Sequence, residues 1–184
     1  MYRTIIVEDD LMVCAILEKQ LGRFSQLQLC GKFRRCSDAL AYFTENPTGA
    51  ELVVLDYFMP GMNGIEFLTE LRKINIDVQV IMITSANDYS VIRSAMCCGI
   101  CDYVLKPFNS ARLEKAVGRF ETTMRLNAGK KMPLVEISEG LELSTVTSRR
   151  YLKYMNSLGE VNITLDCKTG GRPSEIFEYR GEDT

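Results

Sequence analysis

Five short apolar runs, each followed by a stretch of helical period, constrain this chain more than any other feature. TIIV (4–7), LQLCGKF (27–33), ELVVLD (51–56), VQVIMIT (78–84) and CDYVL (101–105) read as strands. Between them, residues 11–24 set Leu11, Cys14, Ala15, Leu17, Leu21 and Phe24 on one helical face. Ser37-Asp38 opens a second helix through Phe43, which Asn46-Pro47 stops. Ile65, Leu68, Leu71 and Ile74 mark a third helix over 64–74, Gly99 closes a fourth over 88–98, and 109–127 forms a fifth. Five such strand–helix repeats predict an α/β fold, a five-stranded doubly wound parallel sheet with right-handed crossovers.

In a sheet of this kind, function gathers at the carboxyl ends of the strands. The polar residues are distributed accordingly: Glu8 and Asp9 end the first strand, Asp56 the third and Thr84 the fourth, and Lys106 follows the fifth. Carboxylates brought to one spot repel unless a cation sits among them, and an all-oxygen donor set favours Mg²⁺ over zinc or copper. A lysine supplies a compact positive charge for a phosphoryl oxygen, and a threonine hydroxyl supplies a hydrogen bond. Together these are an aspartate nucleophile with an electrostatic clamp, the equipment of phosphoryl transfer. The plainer readings are that Glu8, Asp9 and Asp10 cap the first helix and that Asp56 only starts the MPGMNG turn.

Composition narrows the chemistry further. The chain has no histidine, so any phosphoryl donor must be another molecule. Seven cysteines include Cys97, Cys98 and Cys101 in MCCGIC, a redox or metal spacing. Without histidine or a second CxxC, these read as small reduced residues at a helix-to-strand corner. The opening MYRTIIVEDD carries acids where a secretory leader would be apolar, and no run reaches membrane-spanning length, so a cytoplasmic protein is expected. A net charge of −2 argues against a uniformly basic nucleic-acid binder.

The last seventy residues have a different texture. Asn127-Ala128-Gly129-Lys130-Lys131 breaks the fifth helix. Pro133 then begins a short helix that Gly140 ends, and Ser144 caps a second. Ser148, Leu152 and Met155 face inward on that second helix. Thr145, Val146, Arg149, Arg150 and Lys153 belong to its outward side. Such a face is most simply a solvated one. The order of elements argues for more: Gly159 closes the helix, VNITLDC and EIFEY read as strands, and GGRP turns between them. This is a winged helix-turn-helix, with Lys168 and Arg172 on or beside the wing and duplex DNA as its partner. The domains so read are 1–122, a linker or helix extension over 123–132, and 133–184.

The sequence resembles the receiver family of two-component response regulators, through VEDD, LDYFMPGMNG, ITSA and YVLKPF in that order. The resemblance implies a flavodoxin-like receiver in which Asp56 accepts a phosphoryl group from a sensor histidine kinase. It further implies that Asp9 binds Mg²⁺ directly, Glu8 through water, and the Phe58 carbonyl completes the ligands. Thr84 and Lys106 would bind phosphoryl oxygens, Tyr103 would be the aromatic switch that moves with Thr84, and Lys106-Pro107 would be cis. STVTSRRYLKYM and GRPSEIFEY resemble the output domain of the citrate/malate-type, dicarboxylate-sensing regulators. That implies a phosphorylation-dependent transcription regulator, dimeric when phosphorylated, with no enzymatic activity beyond its own phosphorylation and slow dephosphorylation. The relatives have a longer segment before the turn-helix. Here either the fifth helix doubles as the support helix or the output unit is incomplete. The competing reading is a phosphotransfer or interaction receiver whose tail docks a protein.

Overall fold

A computed structural model describes residues 1–75, 77–85, 89–166 and 174–180. The chain forms two compact units, Met1–Ala116 and Val117–Thr184. In the first, strands β1 (Tyr2–Val7), β2 (Leu27–Phe33), β3 (Leu52–Leu55), β4 (Gln79–Thr84) and β5 (Asp102–Leu105) alternate with helices α1 (Leu11–Leu21), α2 (Cys36–Glu45), α3 (Gly64–Ile74), α4 (Tyr89–Cys97) and α5 (Ser110–Asn127). The strands make one parallel sheet in the order β2-β1-β3-β4-β5. Every residue of β3 is buried, as are Ile5–Val7 and Val80–Ile83, which is why these segments are continuously apolar rather than alternating. Each such side chain removed from water contributes about 1.5–3 kcal/mol.

The face of α1 differs from expectation. Leu17 and Leu21 are buried, but Leu11 and Ala15 are exposed. Asp10 is the N-cap of this helix, accepting from the Met12 and Val13 amides, and the buried face is centred on Leu17 and Leu21. Asp10 therefore acts as the helix-terminal acid. The cysteine cluster forms the corner between α4 and β5, where the Cys98 amide closes the helix onto Ser94 and the Cys101 amide bonds the Val80 carbonyl. Cys97, Cys98 and Cys101 form no disulfide.

The second unit uses the end of α5 from Val117 onward, β6 (Met132–Pro133), α6 (Leu134–Gly140), α7 (Thr145–Ser157), β7 (Val161–Asp166) and β8 (Ser174–Tyr179). Its antiparallel sheet runs β6-β8-β7. Helix, strand, two helices and a strand pair in this order form a winged helix. Met132, Leu134, Ile137, Leu152, Val161 and Phe177 make its core, with Leu126 of α5 packed against them. The support helix that no separate sequence supplies is thus the second half of α5. Its fit is tight, since a Cβ on Gly140 would lie 2.0 Å from the Thr122 hydroxyl oxygen. Arg125–Glu136 and Arg119–Glu142 ion pairs flank that contact. Lys168 and Arg172 lie outside the described residues.

Candidate functional site

The strand order reverses direction between β1 and β3, and the carboxylates stand at the carboxyl ends of these two neighbours. Such a switch point opens a crevice outside the sheet. Glu8, Asp9 and Asp56 each place a carboxylate oxygen within 4.8 Å of the others. Lys106 reaches in from the end of β5, its Nζ donating to Glu8 Oε2 at 2.7 Å and to Asp56 Oδ2 at 3.0 Å. Glu8 and Asp56 are buried. The Lys106-Pro107 peptide is cis.

Burial drives the Glu8 carboxyl above its ordinary value, the Lys106 bond opposes this, and the Asp56 charge adds to it. Burial pulls the Lys106 ammonium down, but its bonds to Glu8 and Asp56 outweigh that and hold it above the ordinary lysine value. Lysine is therefore charged throughout the neutral range. Asp56 Oδ1 is buried and without a hydrogen-bond partner. An orphaned carboxylate oxygen carries a desolvation cost that a cation removes. Three carboxylates against one ammonium, all oxygen donors, fit a hard divalent ion such as Mg²⁺.

Thr84 ends β4 fully buried, and its carbonyl accepts the Lys106 amide at 2.8 Å. Tyr103, on β5, is packed into the core, and burial raises its phenol pKa, with smaller contributions from Tyr57 and Asp56 nearby. The Phe58 side chain is exposed and meets the Tyr57 ring edge-on at 4.8 Å. The loop is held from below by Asn63, which forms a capping box with Glu66 at the start of α3. Sequence reasoning passed over Gly64. A Cβ there would lie 3.0 Å from both the Asp56 carbonyl oxygen and the Tyr57 Cα, so glycine lets α3 start this close to the end of β3. The signal was present in the second glycine of PGMNG, directly behind a capping asparagine.

In the second unit Ser144 caps α7 through the Thr147 amide. Ser148 and Leu152 are buried, while Thr145, Val146, Arg149, Arg150 and Lys153 are exposed. The three cations do not act alike. Arg149 Nε donates to Glu175 Oε2 of β8 at 2.6 Å, and Lys153 Nζ lies 3.7 Å from Oε1 of the same carboxylate. Arg150 instead sits 5.5 Å above the Tyr151 ring. Glu175 was not foreseen from sequence, because its partners lie more than twenty residues away across a turn.

The response regulator receiver domain model matches residues 4–118. The chain is 29% identical to the transcriptional regulatory protein MalR of Bacillus subtilis (strain 168), over 97% of this chain and 94% of MalR. It is 26% identical to the probable C4-dicarboxylate response regulator DctR of Halalkalibacterium halodurans, over 97% and 96% of the two chains. The MalR alignment runs over 225 positions against 184 residues here, so MalR carries residues with no counterpart in this chain. Among solved structures, a LuxR-family DNA-binding response regulator from Staphylococcus aureus superposes with a TM-score of 0.59 at 25% identity, covering 65% of this chain and 98% of that one. Among the described residues, no helix is long and apolar enough to cross a membrane.

Proposed function

This chain belongs to the response regulator receiver domain family, and from that premise we propose that it is a transcription regulator switched by phosphorylation of Asp56. The observation that carries the reading is the meeting of Glu8, Asp9, Asp56 and Lys106 at one strand-end crevice, with one Asp56 oxygen left unpartnered. An Asp56 carboxylate oxygen attacks phosphorus, the P–N bond to a phosphohistidine on a sensor kinase breaks, and the imidazole leaves. Lys106 holds Asp56 in place and is positioned to meet a phosphoryl oxygen, with the Thr84 hydroxyl as a second donor. Mg²⁺ held by Glu8, Asp9, Asp56 and the Phe58 carbonyl supplies charge neutralisation when bound. Tyr103 is the side chain that reports the change at Thr84.

The output is duplex DNA, bound by a dimer through Thr145, Val146, Arg149, Arg150 and Lys153 of α7, with Lys168 and Arg172, outside the described residues, as further contacts expected from the sequence. The winged helix order of the second unit supports this, as do the names of the regulators that align over nearly the whole chain. In domain terms, 1–122 is read as the receiver and 133–184 as the output unit; of the intervening 123–132, residues 123–127 end α5 and Met132 begins β6, and Leu126 and Met132 already pack in the second core. The protein works as a soluble, cytoplasmic signalling component rather than as an enzyme on external substrates.

The test is incubation with a small phosphodonor and Mg²⁺, followed by intact-mass measurement and by duplex binding at several salt concentrations. One phosphate should appear on the parent and none on Asp56→Asn, and phosphorylation should strengthen binding to duplexes selected from a random pool. Equal labelling of the two proteins removes Asp56 from the mechanism. Absence of duplex binding at low salt, with and without phosphate, transfers the output role to a protein partner.

A further inference from the structure

Two of the α7 cations face one carboxylate of β8. Arg149 and Lys153 are one helical turn apart and converge on Glu175, the second residue of β8, whose side chain is 19% exposed. The two cations are 47% and 58% exposed. Glu175 takes the arginine by its Nε at 2.6 Å, the inner nitrogen of the fork. The same residues line an open basin of about 640 Å³ with Leu165 and Ser174.

A carboxylate on Nε has two physical effects. It fixes the guanidinium plane and leaves both terminal nitrogens for the bidentate contact by which arginine reads the O6 and N7 of guanine. It also cancels part of the positive charge of Arg149 and Lys153, which weakens attraction to any phosphate backbone regardless of sequence. Both effects favour readout over general affinity. Among the described residues Arg150 has no such carboxylate partner; its guanidinium lies over the Tyr151 ring. Building on the DNA-binding reading above, we propose that Glu175 is a specificity-determining positioning residue, which holds Arg149 as the base-reading arginine of α7 and reserves Arg150 for the backbone.

The experiment compares the phosphorylated full-length chain with Glu175→Gln, Arg149→Ala, Arg149→Lys and the Glu175→Gln/Arg149→Ala pair. Glu160→Gln, an exposed acid of the same unit, controls for loss of one negative charge. Binding isotherms are taken on a selected duplex and on its scramble, over a salt series. Glu175→Gln should lower the ratio of selected to scrambled affinity by roughly tenfold or more per half-site, the range of one bidentate base contact. It should also tighten scrambled binding and steepen its salt dependence. Glu160→Gln should leave the ratio unchanged. Once Arg149 is alanine, Glu175→Gln should lower the ratio no further. Arg149→Lys keeps the charge and loses the fork, so it should lose the ratio while keeping the salt dependence, and it serves if Glu175→Gln does not fold. An unchanged ratio in Glu175→Gln or in Arg149→Lys overturns the proposal. So does a larger gain on the selected duplex than on the scramble in Glu175→Gln, which would make Glu175 an inhibitory latch. A parent that binds no duplex at low salt overturns the DNA reading itself, an outcome distinct from a parent that discriminates and a variant that does so equally well.

Discussion

The strand ends of the first unit and the α7 face of the second both set lysine or arginine against carboxylate, yet water treats them differently. Lys106 is 19% exposed and its partners Glu8 and Asp56 only 1% and 6%. Arg149 and Lys153 are about half exposed around Glu175. In the first place Glu8 and Asp56 have lost nearly all their hydration and depend on their neighbours. In the second, solvent supplies most of what the partner would. On the reading proposed above, similar distances do different jobs: the buried cluster would hold charge ready for a cation and a phosphoryl group, whereas the surface clamp would set the direction of a side chain at little energetic cost.

Removing one buried member should give the largest effect. Lys106→Met leaves Glu8 and Asp56 facing each other without compensation, and the first unit should lose about 3–5 kcal/mol in denaturant titrations without divalent cation. A loss below about 1 kcal/mol would mean that the cluster is as hydrated as the clamp, and the contrast would collapse.

Packing in the core of the second unit comes next. Gly140→Ala drives a methyl group into Thr122, and overpacking of this kind costs about 1–3 kcal/mol. The change should appear as a lower denaturation midpoint for the second unit, read from amide exchange in α6. Were it silent, the second unit would be soft in its core as well as at its surface.

A smaller effect is expected from Asp10→Ala, which removes the cap of α1 beside the buried cluster and should cost about 1 kcal/mol by the same titration. It should leave Mg²⁺ affinity near the parent value, whereas Asp9→Ala should weaken Mg²⁺ binding at least tenfold, on the order of one lost coordinating oxygen. If Asp10→Ala weakened Mg²⁺ equally, the line between capping acid and ligand would be drawn in the wrong place.

The least effect belongs to the clamp. Glu175→Gln should change stability by about 0–1 kcal/mol. Its bond from Arg149, with the Lys153 charge adding to it, holds the Glu175 carboxyl below the ordinary glutamate value. A depressed folded-state pKa gives stability that is complete above the unfolded pKa and fades as pH falls through the folded one. Carbon-detected titration should find Glu175 charged at all neutral pH values and protonating below the usual glutamate range. A midpoint at or above that range would show that Arg149 is not held.

What could be read in advance followed the distance over which each cause acts. The inner strands were legible because burial on both faces makes them continuous apolar runs, and the edge strand β2 because its burial alternates. The strand-end acids stood out because each directly terminates such a run. The α7 cap at Ser144 and the inward Ser148–Leu152 stripe are likewise local facts. The α1 face was shifted because an apolar count does not say which residues meet the sheet: Leu17 and Leu21 are buried, while Leu11 and Ala15 stay in water. Gly64 carries a constraint imposed by Asp56, eight residues away. The Arg149–Glu175 bond depends on the pairing of β7 with β8, which no helix-period argument contains. The tail of α5 gave a continuous helical pattern, and periodicity does not tell which of two cores a given turn of helix serves.

The meeting of Glu8, Asp9 and Asp56 depends on the parallel pairing of β1 with β3, and Lys106 joins from a residue ninety-eight positions beyond Glu8. An unfolded chain brings those groups together only at a large loop-closure cost. Whatever cation binds there therefore binds the folded form alone, and its binding free energy adds directly to the free energy of unfolding. At a hundred times its dissociation constant such a ligand adds about 2.7 kcal/mol. The first unit should then melt higher as the cation concentration rises, with the increment set by the logarithm of that concentration, so a thermal scan becomes a measure of the site's affinity.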